Sequence, residues 1–416
     1  MQNNKGTDSV DIQVERAVRS CYGKLLSQLT YHFRSLDLAE EAIQEATISA
    51  FVKWKKLGIP NNPESWLFIA SKRKAIDIIR KNKSHAQKKQ NLIIYNKTIE
   101  PEVIELSDQD RRLELIFTCC HPALDTASQV ALTLNTVCGF SVDEIAKAFL
   151  LKKTTMAQRL VRTKQKISKT NIPYQIPEPH QLEQRLSGVL GVIYLIFNEA
   201  YYSKGSKYLS SKPLAEEAIR LAKLVNKQLP HRSELLGLLA LMAFNFVRFN
   251  AKIDKFGRSI NLKMQNRQLW QHEWVERGNH YLESALTLKK LGPYQIQAAI
   301  SAVHSTSKSF AETDWQQIHA LYQKLLQYQT SPIIELNAAI ALAYSNKIEH
   351  SLKLIQKLEQ EGQLSQYHLL YMAKAYCLKE LSRNEQSKEA INRAIELSDN
   401  QFQKDYFQKE LESWFD

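Results

Sequence analysis

Residues 141–166 read SVDEIAKAFLLKKTTMAQRLVRTKQK, and the reading of this stretch decides the rest. Ser141 followed by Glu144 is a capping box: the hydroxyl takes an N–H three residues on while the carboxylate reaches back to the cap. Ile145, Ala146 and Phe149 then line one face of a first helix. Lys152 and Lys153 fall in a turn, and Thr154 or Thr155 is placed to cap a second helix with apolar positions at Met156, Leu160 and Ile167. The other face of that helix carries Gln158, Arg159, Arg162, Lys164 and Lys166, and residues 147–169 contain eight Lys and Arg with no Asp or Glu. The pattern predicts a helix-turn-helix, whose second helix sets its start against base edges while cations hold phosphates. A solvated basic helix on an ordinary bundle is the plainer alternative. The cap, the turn and the one-sided charge agree with one another, and that agreement favours a nucleic-acid surface.

The charge is distributed in blocks. The 416 residues carry a net +13, made of +7 over 1–90, −6 over 91–146, +8 over 147–170 and +4 over the long remainder. Two basic blocks around an acidic one suggest a polyanion held by the N-terminal part only. Gly (12) and Pro (11) are scarce, and apolar residues recur at three- and four-residue spacings, so the expected fold class is all-α. The length allows two to four domains. No uninterrupted apolar run approaches a spanning length, and MQNNKGTDSV does not read as a signal peptide. Five Cys (21, 119, 120, 138 and 377), odd in number and two of them adjacent, do not make a disulfide framework and point to a reducing cytoplasm.

The N-terminal block begins with a helix over about residues 10–30. A second covers 38–54, with Leu38, Ala42, Ile43, Ala46, Ala50 and Phe51 on one face and Glu40, Glu41, Gln44 and Glu45 on another. The turn KKLGIPNNP (55–63) follows. A third helix from about residue 64 is expected to bury Trp66, Ile69, Ala70, Ile76 and Ile79 and to show Lys72, Arg73, Lys74, Arg80, Lys81 and Lys83. Aromatic residues among cations suit stacking on unpaired bases, although Trp66 and Phe68 taken singly are as readily core residues.

AEEAIQEATISAF (39–51) followed by PESWLFIASKRKAIDIIRK (63–81) resembles region 2 of the extracytoplasmic-function sigma factors of the sigma-70 superfamily, and the basic helix-turn-helix resembles their region 4. RLELIFTCCHPALDTASQVALTL (112–134), MAQRLVRTKQKI (156–167) and VLGVIYLIFNEAYY (189–202) resemble a subgroup with a long C-terminal extension of helical, tetratricopeptide-like type. The likeness continues through GPYQIQAAISAVH (292–304), TDWQQIHALYQKLL (313–326) and SPIIELNAAIALA (331–343), so it covers nearly the whole chain. It implies five parts: region 2 (1–90), a linker (91–107), region 4 (108–172), a Pro-rich joint (173–185) and a C-terminal helical domain (186–416) that modulates activity.

The same resemblance implies roles. Region 2 would clamp the RNA polymerase core, its beta and beta-prime subunits, through Glu40, Glu41, Gln44 and Glu45. It would open the −10 element with Lys55, Lys56, Asn61, Asn62, Trp66, Lys72, Arg73 and Arg80, where Asn61 and Asn62 offer donors and acceptors to a flipped base. Thr154, Thr155, Gln158 and Arg159 would read the −35 major groove, and Lys152, Lys153, Arg162 and Lys166 would contact phosphates. Promoter DNA and core polymerase are the implied partners, with an unknown regulatory protein at the C-terminal domain and no membrane.

From residue 332 the chain looks like paired antiparallel helices, with Ala343-Tyr344 and Ala375-Tyr376 recurring 32 residues apart. One departure from the family is LKMQNRQLWQ (262–271), where relatives carry an acidic segment. Cys119, Cys120 and His121 with Cys138 do not suit zinc, because adjacent cysteines cannot easily join one tetrahedral ion. No Gly-rich phosphate loop or nucleophile elbow occurs. No metal, cofactor or catalytic residue is therefore expected. The competing function is a helix-turn-helix regulator with a helical-repeat sensing domain that never joins a polymerase; it leaves the basic, aromatic block at 64–83 unexplained.

Overall fold

The computed structural model describes residues 5–89, 110–149, 151–201, 207–252, 260–398 and 401–415. The linker at 91–107 lies outside them. Every regular element among the described residues is helical, and the chain divides into two compact units, Met1–Ala200 and Tyr201–Asp416.

The first unit contains α1 (Lys5–Phe33), α2 (Leu36–Leu57), α3 (Pro63–Lys89), α4 (Arg112–Cys119), α5 (Thr126–Thr136), α6 (Val142–Ala148), α7 (Lys153–Lys169) and α8 (Pro179–Tyr201). Ser35 caps α2 by accepting from Leu38 N–H, and Gly58, at φ 81°, ends it in a conformation that favours glycine. Leu25, Leu26 and Leu29 of α1 meet Ala39, Ala42, Ile43, Ala46 and Ala50 of α2 in the core. The alanines let the helices approach closely. Trp54 closes this core and meets Trp66 edge-on, with ring centroids 5.4 Å apart. On α3 the buried row is Leu67, Phe68, Ser71 and Ala75, not the row expected from the sequence, and Ile69 is 45% exposed. Two apolar rows adjoin on this helix. The one at four-residue spacing faces α1 and α2, which turns position 69 outward.

Helices α4 and α5 pack against the same α1, and α6 and α7 pack against α5 and each other. A Cβ at Gly23 would stand 2.1 Å from the carbonyl oxygen of Val137, so only glycine permits this contact. Tyr31 receives the Arg111 guanidinium 4.0 Å from its centroid. The Pro-rich joint is tied down as well: Thr118 Oγ1 donates to Pro173 O (2.9 Å) and Arg34 to Tyr174 O (3.4 Å). Arg185 then donates to Phe117 O (2.7 Å), which holds the start of α8 on α4. The compact units divide at 200/201.

The second unit contains α9 (Lys207–Gln228), α10 (Ser233–Val247), α11 (Glu273–Thr287), α12 (Pro293–Thr306), α13 (Trp315–Leu326), α14 (Pro332–Tyr344), α15 (Ile348–Gln360), α16 (His368–Glu380), α17 (Asn384–Glu396) and α18 (Gln401–Phe415). Residues 233–251, α10 and its following turn, are long and apolar enough to cross a membrane by length and composition. Here α10 is the central core helix, enclosed by α9, α11 and α12. Gly237 lets α12 come near, since a Cβ there would lie 2.7 Å from Gln295 N. Glu234 accepts from Tyr294 N–H (3.0 Å) and so satisfies an otherwise orphaned donor at the start of α12. In the segment 262–271, Arg267 lies 4.4 Å from the Trp270 centroid and donates to the carbonyls of His304 and Ser307.

Two helical hairpins, α14–α15 and α16–α17, follow one another. Their helices begin 36 residues apart (332 and 368; 348 and 384). Ser351 Oγ donates to Ala339 O and Ser387 Oγ to Ala375 O, and Asn346 and Ser382 turn the two hairpins at φ 64° and 59°; each pair is again 36 apart. The 32-residue recurrence of Ala-Tyr is therefore not the structural period. It is one helical turn short, so Tyr344 and Tyr376 are stacked neighbours, 4.9 Å apart, and not equivalent positions.

Candidate nucleic-acid interface

The capping box at Ser141 is present. Glu144 N–H donates to Ser141 Oγ (3.2 Å), and Ser141 N–H donates to Glu144 Oε2 (2.8 Å). Glu144 also accepts from Arg19 at 2.9 Å. Burial raises its carboxyl, but the Ser141 bonds and Arg19 outweigh burial and hold it below the ordinary glutamate value. The next helix begins two to three residues earlier than expected. Lys152 is its N-cap, in extended conformation and without a side-chain cap bond, so Thr154 and Thr155 lie in the first turn of α7 and cap nothing. Met156, Leu160 and Ile167 are buried, joined by Thr163, whose hydroxyl turns back to Arg159 O (2.7 Å).

This packing sorts the expected contacts. Lys152, Lys153, Thr154, Thr155, Gln158 and Arg162 are exposed on one side of α7, and Arg159 is half-buried beside them. Lys166 is exposed along its stem, while its ammonium donates to Ala123 O (2.5 Å). Lys164 departs from the outer face. It is 15% exposed, and its ammonium meets both oxygens of Glu40 at 2.6 and 2.7 Å.

Glu40 accordingly departs from the polar face of α2, being 16% exposed against Lys164. Glu41, Gln44 and Glu45 remain exposed, with Glu45 paired to Lys74 at 3.0 Å. The same face continues into Ile48 (63% exposed) and Val52 (53%), at steps of three and four residues. Sequence reasoning missed these two, because an apolar residue on an amphipathic helix is assigned to its core by default. Their signal is that they fall opposite the Ala42, Ala46, Ala50 stripe.

At the start of α3, Asn62 Oδ1 accepts from Ser65 N–H (3.0 Å), so its oxygen is committed to a helix cap. Asn61, Lys55, Lys56, Arg73 and Arg80 are exposed, Trp66 and Lys72 half-buried, and Lys55 pairs with Asp11 at 2.8 Å. Burial lowers the Lys72 ammonium below the ordinary lysine value. Cys119 and Cys120 end α4 in the core beside the hydroxyls of Thr136 (3.1 Å) and Thr133 (3.8 Å). Burial pushes the Cys119 thiol up to about 12 and raises Cys120 too. Among the described residues no cluster of three or more His, Cys, Asp or Glu is arranged to hold a metal ion.

Comparison with known proteins matches residues 17–85 to sigma-70 region 2 and residues 114–167 to sigma-70 region 4. Residues 185–286 match a family of unknown function, DUF6596. An uncharacterised protein of Rhizobium meliloti (strain 1021) is 34% identical over 404 residues, covering 96% of this chain and 95% of its own. No solved structure matches the chain. The chain belongs to the extracytoplasmic-function sigma factors of the sigma-70 superfamily, and the DUF6596 match falls in its C-terminal extension. Its two sigma regions bind core polymerase and promoter DNA.

Proposed function

We propose that the chain brings core polymerase to a limited set of promoters and opens them without nucleotide hydrolysis. The observation that carries this reading is the presence in one unit of two distinct basic surfaces. The outer side of α7 presents Lys152, Lys153, Thr154, Thr155, Gln158, Arg159 and Arg162 to the −35 major groove, and Lys166 lies at its far end. The α2–α3 turn and α3 present Lys55, Lys56, Asn61, Trp66, Lys72, Arg73 and Arg80 to the melted −10 strand, where Asn62 offers its amide nitrogen alone. Polymerase docks on Glu41, Gln44 and Glu45 with Ile48 and Val52, a polar rim around exposed apolar side chains. Glu40 stays with Lys164.

The second unit, with hairpins of tetratricopeptide-like type, adjusts this activity from within the chain. Its near-neutral charge balance argues against a second DNA site. The test is truncation after residue 200, where the compact units divide. Circular dichroism checks folding, and transcription and polymerase binding are then compared with the full chain. A folded 1–200 fragment with altered output supports built-in modulation. A folded fragment with the same promoters and the same output under every condition ends it.

A further inference from the structure

Helix α7 carries an exposed side chain that the −35 contacts named above do not use. Val161 is 53% exposed, although every other exposed residue of α7 is polar or charged. Met156, Leu160, Thr163 and Ile167 form the buried row of this helix. Val161 falls on its outer side, in the exposed row Thr154, Gln158, Val161 and Gln165, at steps of four, three and four residues. Thr154 and Gln158 are the side chains set toward base edges, and Val161 stands about one turn beyond Gln158 in the same row.

A single exposed valine on an ordinary surface asks for no explanation. Its place in a base-facing row is what gives it meaning. Valine keeps essentially one χ1 rotamer in a helix, so its two methyl groups are held in a fixed direction. The same stiffness makes it a poorer helix former than alanine, and at this exposure packing within the unit offsets little of that loss. The base edges in the major groove display hydrogen-bond donors and acceptors, and the one apolar group among them is the 5-methyl of thymine. Valine set against a donor or acceptor would strip water from it and return no hydrogen bond. Set against thymine, it buries apolar surface on both partners.

We propose that Val161 is a specificity-determining residue of α7 and reads one thymine of the −35 element through its 5-methyl group. The inference rests on the −35 reading of α7 given under the proposed function and adds to it a base-specific contact made without a hydrogen bond. Gln158 and Arg159 read neighbouring base edges by donors and acceptors, and Val161 sets the identity of one further base pair by apolar contact.

The experiment uses the full chain bound to core polymerase and a template pool randomised over the −35 element. Selected templates should be enriched in thymine at one position, on one strand or the other, and Val161→Ala should lose that enrichment. Deoxyuridine in place of that thymine removes only the methyl group and keeps the pairing. It should weaken promoter binding about fourfold, the worth of about one buried methyl group, while the same replacement in the spacer between the two elements should change nothing. With Val161→Ala, the thymine and deoxyuridine promoters should bind alike. Circular dichroism verifies that this variant, altered at an exposed position, is folded. Failure to select any −35 sequence would overturn the −35 reading of α7 and this inference with it. A selected −35 sequence with no thymine that depends on Val161, or a preference for thymine over deoxyuridine that survives Val161→Ala, would overturn the inference alone.

Discussion

Lys164→Met tests the packing of α7 against α2. The wild-type ammonium touches both oxygens of Glu40 at 2.6 and 2.7 Å, and the two side chains are only 15% and 16% exposed. Methionine keeps the apolar stem but leaves Glu40 without its partner. Breaking a buried pair costs about 3–5 kcal/mol, and the remaining exposure lets water reach the carboxylate, so a loss of about 2–3 kcal/mol is expected. Amide hydrogen exchange reads this locally, which suits a chain of two compact units whose global unfolding need not be two-state. Amides of α7 and α2 should exchange about 30- to 150-fold faster than in wild type. Glu40→Gln with Lys164→Met should recover most of the loss, because no orphaned charge remains. Unchanged exchange in the single variant, or a double variant no better than the single one, would refute the argument.

Three further outcomes are expected. In the holoenzyme, Gln158→Ala and Arg159→Ala should lose discrimination between −35 sequences by about 1–3 kcal/mol for each bidentate contact, whereas Lys152→Ala should weaken all sequences alike; competition between promoter variants distinguishes these patterns. Glu41→Lys with Glu45→Lys should slow association with core polymerase and change its salt dependence, as measured by stopped-flow or surface-binding kinetics. Glu144 has a depressed carboxyl in the folded chain, so its contribution is present above the free glutamate value of 4.5 and is lost as pH falls through the lower folded value. The Ser141 cap of α6 should therefore fray in acid, and Glu144→Gln should flatten that pH dependence in exchange at α6 amides.

Local rules read much of this architecture from the sequence. Ser141 and Glu144 identify a cap because capping chemistry lies within four residues, and Met156, Leu160 and Ile167 identify a buried face because helix geometry repeats. Contacts between distant segments are not written in any local pattern. Lys164 looks like one more cation on a basic face until Glu40, far away in sequence, is brought opposite it. Ile69 looks like core until α1 and α2 choose the neighbouring row of α3. Repeat register failed for a related reason: identical Ala-Tyr pairs stood out, but the conserved geometry lies in Ser351 and Ser387, whose hydroxyls hold equivalent carbonyls. A cavity beside Trp315, Tyr344 and Glu410 draws on helices α12 to α16 and α18, and periodicity in one helix carries no information about the space left between several.

The most direct test of the central claim is run-off transcription with purified core polymerase and a pool of promoter templates. The account requires that the full chain enable initiation from a restricted subset of templates, with no nucleotide hydrolysis by the chain itself, and that combining Gln158→Ala with Arg159→Ala broaden that subset. Tight binding to duplex promoter DNA, with no association with core polymerase and no transcript from any template, would contradict it and favour a regulator that acts without entering the polymerase.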